Sequence, residues 1–151
     1  MRRISLLALG LVIVFSGAIC AAENNYWEKF KEGSWVLHEY TGGVQMKQTL
    51  VGKAADEVTL RSETIMNGNT ISSVDVKVPL KTGMTGIEKA DVKISDATFE
   101  VKGKTLSCKV FETNTPMGLS KSWISADVPG GLLKSQVNDT DSIKIVDYEV
   151  K

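Results

Sequence analysis

One histidine, His38, and two cysteines, Cys20 and Cys108, are all that this 151-residue chain offers of the side chains that build most metal sites and nucleophilic centres. No serine stands in a Gly-x-Ser-x-Gly elbow, so a hydrolytic triad has neither its usual nucleophile setting nor a choice of base. Asn138-Asp139-Thr140-Asp141 opens like a calcium loop but lacks the glycine and glutamate that such a loop needs further on, and it reads as a polar turn. Arginine is confined to Arg2, Arg3 and Arg61, and eighteen Lys+Arg balance eighteen Asp+Glu. With no basic excess and almost no bidentate donors, a nucleic-acid partner is not expected. Beyond the N-terminus no segment approaches the ~20 apolar residues of a membrane span. The expectation is a protein that is not an enzyme and carries no metal or cofactor.

What is present begins with an address. Met1-Arg2-Arg3 is followed by an uncharged stretch from Ile4 to Ile19 and by small residues up to Cys20-Ala21-Ala22, just before Glu23. A basic start, a short apolar middle and a small-residue exit have the layout of a secretory signal peptide. The chain therefore divides into a signal peptide, 1–22, and a single antiparallel β domain, 23–151, destined for a bacterial periplasm or the extracellular space. Gly17-Ala18-Ile19-Cys20 half resembles a lipobox, which leaves a lipid anchor at Cys20 as the alternative to simple cleavage. The membrane is otherwise met only through the signal peptide. Removing Arg2 and Arg3 leaves sixteen basic and eighteen acidic residues, net −2, and Cys108 as the sole cysteine. No internal disulfide is then possible, so the domain stands on its hydrophobic core. Cys108 alternates with Leu106 and Val110, which predicts a buried, inert thiol.

From Trp35 onward the apolar pattern has a period of two. Val44, Met46, Gln48 and Leu50 share one parity, as do Val58 and Leu60, then Val74, Val76 and Val78, and Phe99 and Val101. Such alternation marks half-buried antiparallel strands. Strands are expected near 34–41, 44–53, 57–67, 69–80, 91–95, 97–102, 104–113, 119–127, 132–138 and 142–150. Turn chemistry falls between them at Thr41-Gly42-Gly43, Asn67-Gly68-Asn69, Lys102-Gly103-Lys104 and Pro129-Gly130-Gly131. The last calls for a type II turn with positive φ at Gly130, so valine there should harm folding more than valine at Gly118. The apolar parity flips between Ile145 and Val146, which predicts a β-bulge. The longest loop is expected from Lys81 to Ala90. One short helix is expected over Asn24–Glu32, docking through Trp27 and Phe30. The fold class is mainly β: a single curled antiparallel sheet, half-barrel or open barrel, with one short N-terminal helix.

The most distinctive stretch is Trp123-Ile124-Ser125-Ala126-Asp127-Val128-Pro129-Gly130-Gly131. It resembles a segment of small exported bacterial proteins that look distantly like the periplasmic lipoprotein carriers of the LolA/LolB-like superfamily. That resemblance implies an antiparallel sheet curled round a helix, with a concave face that holds acyl chains. The expected function is binding of an apolar or amphipathic ligand, or of a lipoprotein's lipid moiety, in a groove drawn from Trp27, Phe30, Trp35, Met46, Met66 and Trp123. The alternative is an envelope interaction or structural module without a ligand.

Overall fold

The computed structural model describes residues 26–80 and 91–151. The expected signal peptide, Cys20, the first residues of the expected helix and the loop expected from Lys81 to Ala90 lie outside the described residues.

Among the described residues nine strands form one antiparallel sheet: β1 (Trp35–Tyr40), β2 (Gln45–Lys53), β3 (Glu57–Met66), β4 (Asn69–Pro79), β5 (Val92–Val101), β6 (Lys104–Thr115), β7 (Gly118–Ile124), β8 (Leu132–Val137) and β9 (Thr140–Glu149). Their order is β4-β3-β2-β1-β9-β8-β7-β6-β5, with β4 and β5 as unjoined edges. Two meanders, β1–β4 and β5–β9, are thus stitched together where the first strand pairs with the last. The two strands expected at 91–95 and 97–102 merge into the single strand β5. Asp96, which falls between the two expected strands, lies on this edge strand, and its carboxylate meets Lys109 Nζ at 2.8 Å.

Tight hairpins turn where the sequence placed them. Asn67 (φ 51°) and Gly68 (φ 77°) join Met66 to Asn69, and Lys102 (φ 47°) and Gly103 (φ 76°) join Val101 to Lys104. Asn138 (φ 50°) and Asp139 (φ 62°) do the same between Val137 and Thr140. Two successive positive φ angles are the type I′ turn, whose twist matches that of the strands. Val128-Pro129-Gly130-Gly131 is the expected type II turn: Gly130 has φ 75°, and Gly131 N donates to Val128 O at 2.9 Å.

Register shifts insert an extra residue at Val51 in β2, Ile71 in β4, Leu133 in β8, and Ser142 and Val146 in β9. The last is the bulge expected from the parity flip: Leu37 faces Asp147, His38 faces Ile145, and Val146 has no partner on β1. Bulges bend and twist a strand. The tip of the β5–β6 hairpin comes back against β9, where Lys102 Nζ meets Asp147 at 2.5 Å and Lys104 lies over the Tyr148 ring. In a flat sheet β5 and β9 would lie four strand positions apart.

No helix is found among the described residues. Tyr26 to Phe30 run as turns, closed by Phe30 N donating to Trp27 O at 3.1 Å. Tertiary pairing captures the segment before a helix can run on. Gly33 N donates to Leu50 O, Leu50 N to Ser34 O, and Lys53 Nζ to the Phe30 and Glu28 carbonyls. Trp27 and Phe30 nevertheless anchor it, both buried in the core with Val36, Leu50, Val58, Leu106, Cys108, Val128, Leu133 and Ile145. The Pro-Gly-Gly turn packs on this segment so closely that a Cβ on Gly130 would lie 3.1 Å from the Trp27 ring.

Candidate functional site

The six aromatic and methionine residues expected to frame one groove are dispersed. Trp27 and Phe30 fill the core. Trp35 faces Thr49 and Glu149 across its ladders, so it lies on the opposite face of β1 from Val36, His38 and Met46, the partner of His38. Its indole Nε1 donates to Glu149 at 2.8 Å, and Lys47 Nζ lies 4.6 Å from the ring centre, the setting of a surface tryptophan. Trp123 is half-buried against the core beneath Lys134, 5.3 Å from its ring centre. Met46 is half-buried with the Tyr40 hydroxyl 3.9 Å from Sδ, and Met66 is 42% exposed beside the Asn67-Gly68 turn.

A different set of residues does converge. An open cleft of about 900 Å³ lies between the N-terminal turn, β6 and the end of β7. Cys108 and Ile124, both buried, and the half-buried Phe111 give it an apolar lining. Tyr26, Glu28 and Lys29 come from the N-terminal turn, and Ala126 and Asp127 from the loop after β7. Two ion pairs stand at its mouth: Lys29 with Asp127 at 3.5 Å and Lys109 with Asp96 at 2.8 Å. The loop that carries Asp127 is held in shape by Ser125, whose Oγ donates to Ser107 O at 2.8 Å and accepts from Asp127 N at 3.3 Å.

Volume and lining fit a small molecule. Ligand clefts measure roughly 300–1,000 Å³ and combine apolar walls with a few placed polar groups. Here an apolar part can rest on Phe111 and Ile124 while a polar or charged end meets the paired charges at the mouth. The two ion pairs balance each other, and Glu28 adds one further carboxylate to the lining.

The two side chains with the most potential for chemistry stand apart. His38 is buried, and its Nε2 lies 2.7 Å from Leu132 O. A carbonyl only accepts, so Nε2 carries the proton and the ring is held as a neutral donor. Burial lowers its pKa, opposed only in part by this hydrogen bond. The bond spans β9: Leu132 lies just beyond Lys134, the last β8 residue paired with that strand, and His38 takes up its carbonyl. Cys108 is a buried free thiol whose pKa burial raises, the reverse of what a nucleophilic cysteine requires. Among the described residues no three His, Cys, Asp or Glu side chains gather as a metal site, and no helix is long and apolar enough to cross a membrane.

Sequence reasoning missed Tyr26, Phe111, Lys29 and Asp127 as neighbours. The only local signal was Ser107-Cys108-Lys109-Val110-Phe111, where an aromatic falls on the polar parity of β6. Comparison with family models, with curated proteins and with solved structures finds no match to this chain.

Proposed function

We propose that this chain is an exported, non-enzymatic binding domain that takes up a small amphipathic ligand, such as a fatty acid or a lipid moiety, in the cleft beside β6 and β7. The observation that carries this reading is the roughly 900 Å³ cleft with Phe111, Ile124 and Cys108 inside and paired charges at its mouth. The signal-peptide pattern of residues 1–22 supports export. The open, bulged sheet supports the half-barrel reading. The ligand site shifts from the tryptophan-framed groove to this cleft, because Trp27 and Phe30 are spent on the core and Trp35 turns to the other face.

A dansyl-labelled fatty acid tests the proposal. Saturable, micromolar-range enhancement of its emission is expected, and Phe111→Glu should abolish it while leaving the far-UV circular dichroism unchanged. Absence of saturable binding, or equal binding by a folded Phe111→Glu variant, overturns the ligand reading in favour of an interaction module.

A further inference from the structure

Five charged side chains line the cleft beside β6 and β7: Glu28 and Lys29 from the N-terminal turn, Asp96 from β5, Lys109 from β6 and Asp127 from the loop after β7. Three are carboxylates and two are ammonium groups, so the lining carries a formal excess of one negative charge. Both lysines are already committed. Lys29 Nζ lies 3.5 Å from Asp127 and 5.2 Å from the centre of the Phe30 ring. Lys109 Nζ donates to Asp96 at 2.8 Å, and that hydrogen bond raises its pKa.

The third carboxylate stands differently. Glu28 is exposed, and among the described residues its side chain enters no ion pair. Lys53 reaches the backbone carbonyl of the same residue and not its carboxylate. Two aromatic rings, Tyr26 and Phe111, line the same cleft. The face of an aromatic ring attracts cations and repels anions. An anionic head entering here must draw a lysine away from its carboxylate and still meets the carboxylates that remain. An ammonium meets Glu28 and the aromatic lining with both ion pairs intact.

We infer that the amphiphile taken up by this cleft carries an ammonium group on its head, recognised by the Glu28 carboxylate and the aromatic lining. The inference rests on the cleft being the ligand site, as proposed above. The apolar tail lies on Phe111 and Ile124. Where the same head also carries a phosphate, that group falls to Lys29 and Lys109, which exchange one anionic partner for another. Both pairs are exposed, and exposed ion pairs are weak enough to open for such an exchange.

Calorimetric titration with chain-matched probes, each kept below its micelle concentration, isolates the head. Lauroyl lysophosphatidylethanolamine and lauroyl lysophosphatidylglycerol share chain and phosphate and differ in the ammonium; dodecylamine keeps an ammonium and lacks the phosphate. The ethanolamine lipid should bind about fivefold or more tightly than the glycerol lipid, and the gap should narrow as salt is raised. Glu28→Gln should weaken the ethanolamine lipid and dodecylamine by about threefold and leave the glycerol lipid unchanged or tighter. Dodecylamine binding as well as the ethanolamine lipid assigns recognition to the ammonium alone, and weaker binding adds the phosphate to it; both outcomes support the inference. Equal affinity for the two lysolipids, weakened alike by Phe111→Ser, overturns the ammonium head and leaves the cleft as a ligand site. A folded Glu28→Gln variant that keeps the full preference also overturns it. Binding by none of the probes overturns the cleft reading and the ammonium head together.

Discussion

Lowering the pH from about 7.5 to about 5 should destabilise this protein chiefly through His38, the one histidine in the chain. In the unfolded chain its imidazole takes up a proton near the ordinary pKa of 6.5. In the folded protein the ring is buried and its Nε2–H is committed to Leu132 O, so desolvation holds its pKa below that value. Between the folded and the ordinary pKa the unfolded state binds a proton that the folded state refuses. Stability is therefore complete above the ordinary value and falls as the pH drops toward the folded pKa. The slope has a ceiling of about 1.4 kcal/mol per pH unit for a single group. Each kcal/mol lost lowers Tm by about 3–5 °C for a domain of this size, so Tm should fall with the pH across the window. Chemical denaturation at a series of pH values gives the slope directly. His38→Gln keeps an amide donor for Leu132 O and removes the titration, so it should cost stability near neutrality and flatten the pH dependence above about pH 5. A stability that is level from about pH 7.5 to 5 in the unaltered protein, or an unchanged slope in His38→Gln, would refute the buried neutral assignment.

Other predictions follow from the turns and the thiol. The structure corrects the expected contrast between Gly130 and Gly118: Gly118 has φ 124°, and a Cβ there would lie 2.0 Å from Asn138 Oδ1. Asn138 holds Leu119 N and Met117 O at 3.0 Å each, so Gly118→Ala must expel that side chain, and both glycine variants should cost about 1–3 kcal/mol. A double-mutant cycle by urea denaturation should find Gly118→Ala coupled to Asn138→Ala and Gly130→Ala additive with it; the opposite result would contradict the capping role of Asn138. Cys108, buried beneath the cleft with its pKa raised, should react with a thiol reagent far more slowly than in denaturant, and more slowly still when the dansyl fatty acid is bound. A native rate equal to the denatured one would place the thiol at the surface.

Local chemistry was enough to read the hairpins and the strand class from sequence. Asn67-Gly68 and Lys102-Gly103 adopt the paired positive φ angles of tight turns, because the residues themselves tolerate or demand them. The Val146 bulge was also legible, since a parity flip in apolar alternation can only be satisfied by an extra residue. Burial of Trp27, Phe30 and Cys108 followed from their apolar surface. Tertiary structure alone decided the rest. The helix expected over Asn24–Glu32 is replaced from Tyr26 onward by turns, because Leu50 and Lys53, distant in sequence, claim the backbone groups around Phe30 and Gly33. Period two says that Trp35 and Val36 lie on opposite faces, but it does not say which face meets the core; pairing with both β2 and β9 settles that. The cleft joins Tyr26, Phe111 and Asp127, which no sequence window contains together, and β1 finds β9 across the whole length of the domain. Such contacts are selected by the total surface that the assembled sheet buries, a quantity that no local pattern carries.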